Sequence, residues 1–121
     1  MYSATEELIA WIADYGYRCS TQVPEPSPSE FVTVERTSSY VENLVDHPTF
    51  AVQTWADDEC RAEEMALEIR LAALTEERPY GFYSLSPQGV YPFWDDSTRK
   101  PRYQLVLSCT TQLTKDEGGS S

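Results

Sequence analysis

His47 is the only histidine of the chain, and it stands in Val45-Asp46-His47-Pro48. Asp95 and Asp96 are neighbours after Trp94, and Arg99, Lys100 and Arg102 follow as the densest basic cluster. These residues have the means for chemistry. An imidazole can move a proton near neutrality. Two carboxylates can bind a divalent cation or serve as acid and base. Each lacks the partner that such chemistry needs. No serine or cysteine occupies a nucleophile-elbow pattern, and no second ligand recurs at metal spacing from His47. Pro48 restricts His47 to extended backbone, so it reads as a loop or interface histidine. Asp95-Asp96-Ser97 between two strands is turn chemistry. Arg99, Lys100 and Arg102 can set register against an acidic neighbour, or they are a solvated hairpin; both readings stay open. Arg36, at the end of a strand, is similar. The sequence predicts no enzyme, no metal and no cofactor.

The elements that must position these residues are drawn from a chain of 121 residues, enough for one domain with its own core. Three Trp, four Phe and eight Tyr argue for folding, and eight Pro argue for loops. Nine Lys and Arg against twenty Asp and Glu leave a formal charge of -11. A cationic groove for nucleic acid and an anionic membrane surface are both poor partners for such a chain. Cys19, Cys60 and Cys109 are an odd number and far apart, which argues against a disulfide framework or a zinc site. They read as reduced thiols in a cytosolic setting, with Cys60 and Cys109 half-buried. Met1 to Glu7 carries no basic leader pattern, and no run is long enough to span a membrane.

Ser3 and Glu6 match a capping box, and Leu8, Ile9, Trp11, Ile12 and Tyr15 follow at helical spacing up to Gly16. Pro24, Pro26 and Pro28 predict a stiff extended connector. Phe31 to Thr37 alternates as a half-buried strand, with Val32 and Val34 on one side and Thr33 and Glu35 on the other. Ser38 to Pro48 reads as a long polar loop, yet it carries Tyr40, Val41, Leu44 and Val45, so it must pack on something. Phe50 to Ala56 is a second strand. Asp57 or Asp58 caps a helix with two apolar stripes, one of Ala62, Met65, Ala66, Ile69, Ala72 and Ala73, the other of Leu67, Leu71 and Leu74. Tyr80 to Ser86 and Val90 to Trp94 read as strands joined by a turn at Pro87-Gln88-Gly89. Tyr103 to Thr111 is the cleanest strand: Leu105, Leu107 and Cys109 face inward, and Val106 alone breaks the pattern. The expected fold is α+β, a mainly antiparallel sheet of four to five strands packed by two helices. Residues 1–114 form the domain and residues 115–121 a flexible tail.

The order Val32-Thr33-Val34-Glu35-Arg36-Thr37, Val45-Asp46-His47-Pro48, Ala51-Val52-Gln53-Thr54-Trp55-Ala56, an Ala/Glu-rich helix and Pro101-Arg102-Tyr103 leading into the last strand resembles the tail terminator proteins of long-tailed bacteriophages. The resemblance runs from Phe31 to Leu113, and Ser38-Ser39 departs from it where relatives are often Gly-rich. It implies a virion protein that forms a ring, typically of six copies, on the head-proximal end of the tail tube. Such a ring ends tube growth and presents a surface to the head connector, and DNA passes through its lumen. The residues expected at subunit or tube interfaces are Arg36, Tyr40, Val41, Leu44, Val45, His47, Phe93, Trp94, Arg99 and Arg102. Two other readings fit the charge and the lack of a nucleophile: another neck or tail-completion protein, or an acidic mimic of DNA.

Overall fold

The computed structural model describes residues 1–93 and 100–114. Trp94, Asp95, Asp96, Arg99 and the tail expected at 115–121 lie outside the described residues. Helix α1 (Ala4–Ala13) starts as its capping box predicts, with the Ser3 hydroxyl accepting from the Glu6 N–H at 3.2 Å. Strand β1 (Cys19–Ser20) follows, then β2 (Phe31–Ser38). A tight hairpin of β3 (Val41–Glu42) and β4 (Val45–Asp46) leads to β5 (Thr49–Trp55). Helix α2 (Glu59–Thr75) is capped by Asp58, whose carboxylate accepts from the Arg61 N–H at 3.0 Å. Strands β6 (Phe82–Pro92) and β7 (Arg102–Thr111) complete the fold.

The sheet runs β1-β2-β5-β7, with β6 on the far side of β7, and every pair is antiparallel except β1 with β2. Short β4 continues the β5 side of β7 through Asp46 opposite Thr111. The α+β class with two helices and a mainly antiparallel sheet is as expected. The strand count is not: the described residues form seven strands, not four to five. Three of the seven are two residues long, too short for any alternation to register. The predicted turn at Pro87-Gln88-Gly89 is also corrected. β6 is one continuous strand of 11 residues, and the register shift between Pro87 and Gly89 makes Gln88 the extra residue of a bulge. Proline is tolerated there because β6 is an edge strand and its missing donor need not face a neighbour. The same prolines blunt that edge against pairing with another chain.

Both helices cover one face of the sheet. Leu8 and Ile12 of α1 and Met65 and Ile69 of α2 meet Val32, Val34, Phe50, Val52, Leu105, Leu107 and Cys109. Cys109 lies inward with Leu105 and Leu107, as strand alternation requires. The first apolar stripe of α2 is wholly buried. The second, Leu67, Leu71 and Leu74, is exposed, with Leu71 at 60%. An i, i+4, i+7 spacing places these three on one side of the helix.

Candidate interaction surface

The segment expected to be a loop is a β-hairpin that carries an exposed apolar cluster. Val41 pairs with Asp46 and Glu42 with Val45, so the turn has two residues, Asn43 and Leu44. Their φ angles are 54° and 63°, the arrangement of a type I′ turn. Asparagine tolerates that region, but leucine does so only with strain. Leu44 is also 79% exposed, with Tyr40 at 61% and Val41 at 57%. The base of the hairpin is well fixed. The His47 ring stacks on Tyr40 with centroids 4.5 Å apart, and the His47 backbone N–H donates to the Tyr40 carbonyl at 2.8 Å. Arg36 pairs with Asp46, tying β4 to β2. A rigid stem thus presents an apolar tip.

The helix-free face of the sheet holds a second feature. Thr33, Gln53, Gln104 and Tyr91 are opposite one another on β2, β5, β7 and β6. Their side chains are joined at 3.3, 3.0 and 2.6 Å. At one end of this row the Trp55 indole N–H donates to the Thr33 hydroxyl at 3.1 Å, and the Trp55 ring stacks on Phe31. Arg102 lies between two rings, 4.4 Å from the Trp55 centroid and 4.3 Å from that of Phe93. Its Nε donates to the Phe93 carbonyl at 2.9 Å. Arg102 is only 8% exposed. Within the subunit its guanidinium packs between aromatic rings, an arrangement that suits a planar cation with apolar stem and faces.

The thiols separate by environment. Cys60 is exposed and Cys109 buried, which corrects the expectation that both are half-buried; Cys19 is half-buried. Burial raises the thiols of Cys19 and Cys109 from 9.0 to about 12. The native chain therefore holds these two protons more tightly than the unfolded chain. The contribution to stability is full below pH 9 and is lost as pH rises towards 12. Since the thiolate is the nucleophile, native protein at pH 8 should take up one equivalent of iodoacetamide, at Cys60, by peptide mass spectrometry. Prompt labelling of Cys109 in the folded protein would contradict its placement in the core.

The described residues bring together no group of three or more His, Cys, Asp or Glu side chains able to hold a metal ion. No helix among them is long and apolar enough to cross a membrane. Of the residues singled out from sequence, Arg36, Tyr40, Val41, Leu44, Val45 and His47 come together in or beside the hairpin. Phe93 and Arg102 meet at the opposite end of the sheet, with Lys100 near them in sequence but bound to Asp57 at 2.5 Å. Sequence reasoning missed Trp55, Phe31 and the row from Thr33 to Tyr91. The signal was present in the outward positions of Thr33, Gln53 and Gln104, whose hydrogen-bonding side chains share one period-2 face.

These features define an α+β domain whose distinctive surface is an apolar-tipped hairpin on a stiff stem. No protein-family model matches the chain, and no curated protein matches it.

Proposed function

We propose that the protein is a structural subunit of the tail terminator kind, forming a ring that caps a phage tail tube and joins it to the head connector. The observation that carries this reading is the hairpin tip. Leu44 holds a strained backbone conformation and exposes nearly its whole side chain. Both features cost free energy in an isolated subunit, and burial against a neighbour offsets them. The open Leu67, Leu71 and Leu74 stripe of α2 adds a second surface of the same character. In the ring, the hairpin of one copy seats on the next copy or on the tube. Arg36 serves the assembly through its own subunit by bracing β4 with Asp46. The formal charge of -11 suits a channel that lets DNA pass without holding it.

The test is mass measurement by light scattering and negative-stain imaging of the protein alone and with tail-tube subunits of the same virus. The expected result is a closed ring, of six copies as the resemblance implies, on one end of tubes of limited length. A protein that stays monomeric with tube subunits present, while the tubes grow without limit, overturns the reading.

A further inference from the structure

On the helix side of the molecule, the C-terminal half of α1 faces the connection from α2 to β6. Between them lies a groove of about 500 Å³ lined by Glu7, Trp11, Asp14, Tyr15, Glu76, Glu77, Arg78 and Tyr80, with Ala10 and Pro79. Its walls are aromatic. Trp11 and Tyr15 meet edge to face at 5.2 Å, and the Trp11 indole N–H donates to the Glu77 carbonyl at 2.7 Å, fixing the ring. Its rim is acidic. Four carboxylates stand against the single guanidinium of Arg78, whose Nε is engaged by the Phe82 carbonyl at 3.3 Å.

We infer that this groove is a docking site for a basic segment of a partner protein, which lays an arginine side chain against Tyr15 and Tyr80 over the edge of Trp11. Charge complementarity and shape both select that occupant. The described carboxylates do not converge as metal ligands do. They ring an aromatic groove, and negative charge spread around exposed rings suits a flat, delocalised cation better than a point charge. A guanidinium laid on these rings keeps its five donors at its edge, towards carboxylates on both walls of the groove. Tyr15 and Tyr80 are exposed at the mouth and would be covered by the incoming chain. The site lies over the same end of the sheet as the hairpin, since Thr111 pairs with Asp46 on one side and Phe82 on the other. It does not depend on ring formation.

The experiment is an NMR titration of the full chain, labelled with ¹⁵N, with a pentapeptide of two arginines spaced by glycines. The probe of specificity is the same peptide with citrulline, which keeps the shape and loses the charge. The arginine peptide should shift the Trp11 indole resonance and the backbone amides of Glu76, Glu77 and Tyr80 saturably, and the citrulline peptide should not. Glu76→Gln with Glu77→Gln should weaken binding about tenfold or more, as loss of two facing charges does. Tyr15→Leu should weaken it by removing one wall. Glu59→Gln with Glu63→Gln, elsewhere on the exposed surface of α2, removes equal charge and should change affinity by less than about twofold. Shifts scattered over the acidic surface, equal losses in the two double variants, or no saturable binding would each overturn the site.

Discussion

Arg102→Ala is expected to lower the unfolding free energy by about 3 kcal/mol, combining a charged hydrogen bond with ring contacts on both faces. The two contributions are not additive, and that value sits below their sum. The guanidinium is held by the Phe93 carbonyl and by the rings of Trp55 and Phe93. Removing it uncovers Trp55, strips Phe93 of its support and leaves a void where the stem had packed. Lysine should not restore the loss, because an ammonium lacks the flat faces that both rings require. Urea unfolding of parent, Arg102→Ala and Arg102→Lys measures this, with the midpoint falling and the slope unchanged. A loss for Arg102→Ala within about 0.5 kcal/mol, the range of ordinary surface changes, would show that the sandwich contributes nothing.

Leu44→Gly should separate stability from assembly. An L-residue in the left-handed region costs about 1–2 kcal/mol, and glycine removes that cost at the price of about 0.5–1 kcal/mol of chain entropy. Asn-Gly is also the preferred pair for this turn. The isolated subunit should therefore be unchanged or stabilised by up to about 1 kcal/mol, read by thermal unfolding. Assembly should move the other way. Burying a leucine contributes about 1.5–3 kcal/mol, so each contact that uses the tip should weaken about ten- to a hundredfold. A ring multiplies that loss around its circumference, and capped tubes should disappear from the images. A Leu44→Gly protein that caps tubes as well as the parent would remove the hairpin from the interface.

Much of this fold was legible because its longer elements are periodic. The Ser3 and Asp58 caps, the stripe from Ala62 to Ala73 and the alternation around Leu105 and Leu107 each reported a backbone repeat. The hairpin was not legible. Its strands have two residues each, and its turn carries leucine where a glycine would have announced it. β6 was split in sequence because Pro87 and Gly89 are turn residues, and only its place at the sheet edge makes them compatible with a strand. The interface expectation singled out Tyr40, Val41 and Leu44 because apolar residues in a polar stretch need a partner, and all three are exposed in the subunit. For Arg102, sequence shows the charge of an arginine but not the two rings that enclose it. Val106 broke the polar face of β7 for a related reason: opposite Ala51 and Gly89, it sits on a surface only partly open to water.

The row on the helix-free face has a direction. Fed by the Trp55 indole, Thr33 donates to Gln53, Gln53 to Gln104 and Gln104 to Tyr91, and these three links point the same way from β2 across β5 and β7 to β6. A glutamine amide can turn over and exchange its donor and acceptor ends. One flip here would set donor against donor or acceptor against acceptor at a junction. Arg102 removes that freedom: its Nη1 lies 3.5 Å from the Gln53 oxygen, and a cation accepts no other orientation. The charge on β7 thereby sets the sense of two amides and of the tyrosine hydroxyl beyond them. The row ends at the Tyr91 hydroxyl of β6, which accepts from Gln104, so from Thr33 onward it has a single polarity, as a written line has a reading direction.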